Sequence, residues 1–158
     1  MMTPHIGIKP ESLSQIAQLL NTILADEFIL YVKTRRAHWN VESPDFYDKH
    51  KFFEAQYQQL DEILDDVAER VRMLGHYAPS TLKEFLAITH LSERMQETND
   101  GIGFIKELLA DHESLIIRLR ENIIRFADDL KDLGTSDFIT GLMETHEKMA
   151  WMLRAHLR

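Results

Sequence analysis

Histidines and carboxylates recur at helical intervals in one stretch of the chain: His38, His50, Glu54, Asp65 and Glu69. His50 and Glu54 are four residues apart, as are Asp65 and Glu69, so on a helix both members of each pair leave the same face one turn apart. Imidazole nitrogen together with carboxylate oxygen suits first-row divalent metals such as iron, manganese or zinc. Each pair is half of a coordination sphere. The fifteen residues from His50 to Asp65 span about 22 Å of helix, too far for both pairs to close on one ion. If they share a site, the second half comes from another copy of the chain.

Two copies of such a helix, laid antiparallel about a twofold axis, bring together residues whose numbers have a constant sum. That sum is 119 for His50 with Glu69 and again for Glu54 with Asp65, which puts the centre of both pairings near Gln59 and Leu60. His50 and Glu54 of one subunit then meet Glu69 and Asp65 of the other, and symmetry makes two equal sites per dimer. His38, on the preceding element, is placed to complete each. The competing reading is plainer: acidic residues recurring along a helix, such as Asp61, Asp65, Asp66 and Glu69, often form a solvated face, and a lone histidine often only packs.

The elements that must position these residues are helices. Only six glycines and four prolines punctuate 158 residues, and helix formers dominate between them. A first helix is expected from Pro10 through Leu13, Ile16, Leu20, Ile23, Leu24 and Tyr31 towards His38. After the Ser43-Pro44-Asp45 turn, a second helix extends to Gly75, with Phe53, Tyr57, Leu60, Leu64, Val67, Val71 and Leu74 as its apolar stripe. Residues 76–97 form a long connection with a small helix at Leu82 to Ile88, started by Ser80 or Thr81. A third helix is expected from Asp100 to Leu130, broken by Gly134, and a fourth, capped by Thr135 or Ser136, reaches Leu157. This describes one all-α domain over residues 1–158, with a short extension at 1–9: a ferritin-like four-helix bundle with a short helix in its long crossover. None of the eight histidines follows a glutamate by three residues, so the Glu-x-x-His pattern of di-iron sites inside one bundle is absent. His76, His90, His112, His146 and His156 show no ligand pattern and read as surface or core residues.

Composition narrows the function classes. There is no cysteine, which excludes disulfides and thiol chemistry. No apolar run approaches a membrane span and the first ten residues hold no apolar signal core, so a cytoplasmic protein is expected. A net charge of −8 opposes broad affinity for nucleic acid phosphates and favours attraction of cations.

The stretch from Arg36 to Gly75 resembles the Dps family, the DNA-binding proteins from starved cells, also called mini-ferritins. The matching words are Ala37-His38-Trp39-Asn40-Val41, Phe46, His50-Lys51-Phe52-Phe53-Glu54, Asp65, Ala68-Glu69-Arg70-Val71 and Leu74-Gly75. Similarity continues at Ser80-Thr81-Leu82-Lys83-Glu84-Phe85 and Trp151-Met152-Leu153, so it covers nearly the whole chain. The resemblance implies a hollow shell of twelve bundles with ferroxidase centres shared across a twofold interface. In it, His38, His50 and Glu54 come from one subunit and Asp65 and Glu69 from its partner. Many relatives have aspartate where this chain has Glu54.

The implied activity is oxidation of Fe(II), preferably with hydrogen peroxide rather than oxygen, and storage of Fe(III) inside the shell as protection against oxidative stress. Trp39 and Tyr57 are candidate electron relays by their closeness to the ligands, with core or interface packing as the plainer role. Asp137, at the start of the last helix, matches the place where relatives line an iron-entry pore, with Asp128 and Asp132 as further candidates. DNA-condensing relatives commonly use lysine-rich tails, which this chain lacks, so DNA binding and nucleoid association are not expected. The alternatives are a chromosome-compacting DNA-binding protein with little ferroxidase role, or a helical scaffold whose metal site has decayed.

Overall fold

Pro10 opens the first helix because its fixed φ suits the first turn and its missing N–H is one that no intrahelical carbonyl would have accepted. The computed structural model describes residues 4–94, 97 and 99–157. α1 (Pro10–Asn40) and α2 (Phe46–Met73) form one hairpin, α4 (Gly101–Ile124) and α5 (Leu133–Ala155) the other, and the short α3 (Leu82–Ile88) lies in the crossover. Glu42 donates its N–H to the Asn99 carbonyl at 2.8 Å, tying the α1–α2 turn to the start of α4. α2 and α4 therefore begin at the same end, and the crossover returns along the bundle. No strand occurs among the described residues, only one isolated bridge between Glu42 and Asp100.

The apolar stripes meet as their spacing predicts. Leu13, Ile16 and Leu20 of α1, Phe53, Leu60 and Val67 of α2, Phe104, Ile105 and Leu108 of α4, and Ile139 and Leu153 of α5 are all essentially removed from solvent. The crossover is held by polar chemistry as well. Thr81 and Glu84 form a reciprocal capping box at the start of α3. At its far end the buried Asp26 carboxylate of α1 accepts from the Thr89 hydroxyl at 2.7 Å and the His90 N–H at 2.6 Å.

The end of the third long helix differs from expectation. Its α-helical part stops at Ile124, Arg125–Asp129 form a π-turn, and the chain reverses at Lys131, whose φ of 60° is left-handed. Gly134 is no breaker, and neither Thr135 nor Ser136 is the cap. Asp132 takes that role, accepting the Thr135 N–H at 3.0 Å, while Arg70 of α2 donates to the Thr135 hydroxyl at 2.9 and 3.0 Å. A β-carbon at Gly134 would sit 3.1 Å from the Arg70 guanidinium, so glycine here admits a close approach.

A polar chain crosses the buried interior. Glu27 of α1, His146 of α5 and His112 of α4 are each 0% exposed. Glu27 Oε1 lies 2.8 Å from His146 Nε2, and His146 Nδ1 lies 2.9 Å from His112 Nδ1. Burial, and secondarily His146, holds His112 well below the ordinary histidine value of 6.5. A histidine depressed in the folded state contributes stability that is present above the unfolded-state value and is lost as pH falls below it. Unfolding midpoints measured against pH should therefore drop below about pH 6.5, by up to about 1.4 kcal/mol per unit for this group. A His112→Gln variant should lose that slope; if its slope is unchanged, the acid sensitivity arises elsewhere.

Candidate metal centre

The last turn of α1 and the beginning of α2 carry the two histidines into one corner. The Nδ1–H of His38 donates to the His50 carbonyl at 2.9 Å, and the Nδ1–H of His50 donates to the His38 carbonyl at 2.8 Å. A carbonyl only accepts, so both Nδ1 atoms hold hydrogens, and Nε2 is the nitrogen whose lone pair each ring can offer to a ligand. The His38 carbonyl is also one of those that the end of α1 leaves without a helical donor. The rings stack with centroids 3.9 Å apart, Phe46 stacks against His50 at 5.1 Å, and Tyr57 meets His38 edge-on at 5.1 Å. Orientation and tautomer are thus set before any ligand arrives, as outer partners do for metal-binding histidines.

Glu54 lies one helical turn beyond His50 and is only partly exposed. Lys51 Nζ sits 2.6 Å from its Oε2. That contact, aided by the electrostatic influence of His38 and His50, holds the Glu54 carboxyl below its usual range. Asp65 and Glu69 stand exposed further along α2, without an ion pair among the described residues. Asp65 lines an open groove of about 580 Å³ whose apolar side includes Leu24, Phe28, Leu64 and Phe85. Among the described residues of one chain, no three His, Asp or Glu side chains converge closely enough to hold a metal ion. His38, His50 and Glu54 are gathered at one end of α2; Asp65 and Glu69 are not brought to them.

This architecture is shared with known proteins. The model of the ferritin-like domain family matches residues 17–158. A DNA protection during starvation protein of Bacillus anthracis is 33% identical over 144 residues, covering 90% of this chain and 97% of that protein. The chain belongs to the Dps family of ferritin-like proteins. An uncharacterized low temperature-induced protein of Nostoc sp. is 42% identical over 153 residues, covering 97% of this chain and 86% of the relative. The crystal structure of the Vibrio cholerae Dps, described as a member of a broad superfamily of ferritin-like diiron-carboxylate proteins, superposes with a TM-score of 0.91 at 28% identity. That match covers 100% of this chain and 98% of the other. The all-α, ferritin-like four-helix bundle expected from the helical pattern is the observed fold.

The remaining expected residues of this Dps chain sit in different settings. Tyr57 lies between the candidate centre and Arg35, whose guanidinium is 4.4 Å from its ring centroid. Trp39 is 64% exposed and meets the same guanidinium at 5.1 Å, so of the two aromatics Tyr57 is the one packed on a ligand ring. Asp137 and Asp128 are exposed, Asp128 within the π-turn. Asp132 is 4% exposed, with its carboxylate engaged by the α5 cap and, at 3.4 Å, by Arg70.

Lys51, Phe46 and Arg35 shape the corner and were not singled out by ligand spacing. Lys51 was legible in principle, since a base three residues before a carboxylate on a helix reaches it. Phe46 was legible in the same way, four residues before His50 on α2, whereas the Tyr57 ring meets His38 only through the α1–α2 approach. A cation arriving at Glu54 has to displace Lys51, so Lys51→Gln should tighten Co(II) or Zn(II) binding to the apoprotein several-fold. Equilibrium dialysis measures this, and weaker binding in the variant would show that Lys51 assists instead of competing.

Proposed function

We propose that this Dps protein is an iron-sequestering ferroxidase whose centre is shared by two subunits. His38, His50 and Glu54 of one subunit would bind Fe(II) with Asp65 and Glu69 of its twofold partner. The observation that carries the proposal is the reciprocal Nδ1–H to carbonyl pairing of His38 and His50, which leaves two Nε2 lone pairs in place beside a carboxylate. Asp65 and Glu69, exposed and without ion-pair partners among the described residues, lie towards the other end of the helix and would supply the complementary anionic half.

Iron is the substrate. Two Fe(II) give one electron each to hydrogen peroxide, whose O–O bond breaks, and two protons complete two waters while two Fe(III) remain. The carboxylates favour the harder Fe(III), and the imidazoles hold Fe(II) beforehand. Peroxide is proposed over oxygen as oxidant, and the Fe(III) is stored within a shell of twelve subunits in the cytoplasm. Among the described residues, no helix is long and apolar enough to cross a membrane. Asp137 and Asp128 are proposed to line the entry route. Tyr57 is the preferred electron relay, with Trp39 as the second candidate. DNA binding is not part of the proposal, given the net charge of −8.

Apoprotein mixed anaerobically with Fe(II) and then peroxide should give rapid oxidation and a soluble ferric product. Oxidation no faster than in protein-free buffer would overturn the reading.

A further inference from the structure

We propose that a pocket between α1 and the end of α4 binds a phosphate group, at a site separate from the metal corner. The pocket encloses about 300 Å³, near the lower bound for small-molecule sites. Leu19, Thr22 and Ile23 of α1 line one side, and Arg118, Asn122 and Arg125 line the other. Those three fall at i, i+4 and i+7 across the end of α4 and the first residue of the π-turn, a spacing that brings them to one side of the helix.

The arginines set this pocket apart. The chain has 26 acidic residues against 18 basic ones, and other arginines have taken partners: Arg70 with Asp132, Arg120 with Glu147, Arg154 with Glu113. Arg118 and Arg125 carry neither an ion pair nor a ring contact among the described residues, although both face one cavity. Two guanidiniums presenting forked donors across a concave surface match the geometry of a tetrahedral oxyanion. Arg125 is also the first residue of the π-turn, a local widening often found where a helix is adapted to a site.

Two carboxylates face the same space, and they differ. Asp26 is occupied: besides the Thr89 hydroxyl and the His90 N–H, it accepts from His90 Nδ1 at 3.3 Å, which fixes that imidazole at the pocket edge. Glu121 has no ion pair among the described residues and lies one turn from both arginines. It is the internal competitor for the guanidiniums, so the pocket is expected to select an anion of higher charge than a carboxylate, as phosphate is.

Calorimetric titration of the assembled, iron-free protein with inorganic phosphate tests this independently of any ferroxidase activity. Binding should weaken at least about tenfold in Arg118→Ala/Arg125→Ala and tighten several-fold in Glu121→Gln. Arg118→Lys/Arg125→Lys, which keeps the charge without the fork, should fall between. Phosphate should also protect Arg118 and Arg125 of the unmutated protein from phenylglyoxal, read by peptide mass spectrometry, so the test stands even if a variant folds poorly. Adenosine monophosphate binding more tightly than phosphate at the same arginines would assign the site to phosphate esters, and weaker binding to the free ion. No binding, affinity unchanged by the double alanine variant, or arginines protected only by duplex DNA would each overturn the proposal.

Discussion

His50→Ala and Asp65→Ala should each abolish rapid Fe(II) oxidation, yet protein co-assembled from equal amounts of the two should regain about a quarter of the wild-type rate. The arithmetic follows from the twofold axis. In a mixed dimer one centre receives both defects, and the other receives His50 from the Asp65→Ala subunit and Asp65 from the His50→Ala subunit. Half of the dimers are mixed and half of their centres are whole. Loss of an outer partner alone typically costs about 10–100-fold in metal affinity or activity, so removal of a direct ligand should leave single mutants at least that far down. The measurement is a stopped-flow oxidation rate on differently tagged, co-expressed chains purified through both tags. Zero recovery in correctly mixed assemblies would place all five residues in one subunit's site, or none of them in any, and would sink the shared centre. Recovery carries the further consequence that the active unit is the dimer.

Glu27→Ala should be the most damaging single substitution in the interior, costing about 3–5 kcal/mol. Glu27, His146 and His112 lie in series with no exposed surface, so removing the carboxylate strands the His146 Nε2 atom where water does not reach. Against a typical folding free energy of about 5–15 kcal/mol, such a loss is decisive. Glu27→Gln keeps an acceptor of the same size and should cost much less, and Glu27→Ala combined with His146→Leu should recover part of the loss, because no orphan then remains. Urea unfolding of the iron-free protein at one fixed concentration reads all three. Equal, sub-kilocalorie effects for Glu27→Ala and Glu27→Gln would show that the chain of groups holds nothing together. The corner of His38, His50 and Glu54 is built from α1 and α2 alone, so under the proposed function Glu27→Gln should leave oxidation rates intact where the protein remains folded.

These two sites differ in how far they can be read from the chain. The approach of His38, His50 and Glu54 was legible because its geometry is local: His50 and Glu54 share a face by helical geometry, and His38 lies twelve residues before His50, across a short loop. The interior histidines were not. Glu27, His112 and His146 come from three helices, 34 residues and more apart, with no spacing rule to connect them. Read singly, each looks like an isolated polar residue in a core stripe.

The same contrast runs through the helix ends. The short α3 was expected at Leu82 to Ile88 and lies there, since Thr81 and Glu84 form a capping box within four residues. The α4–α5 corner was misread at Gly134. Glycine ordinarily marks a stop, but here Asp132 takes the cap because Arg70, from a distant helix, supports Thr135 and approaches through the space that glycine leaves. Asp132, an expected pore residue, is thereby engaged in the fold.

By itself the sequence determined the all-helical class, the apolar stripe of each helix and the half-site spacing on α2, because helical periodicity is a property of neighbours within about two turns. Only the tertiary structure decided the tautomers of His38 and His50, the buried Glu27–His146–His112 chain and the helix pairing that leaves Arg118 and Arg125 facing one pocket. Each of these depends on which helix faces which, and that is set by packing the whole core at once.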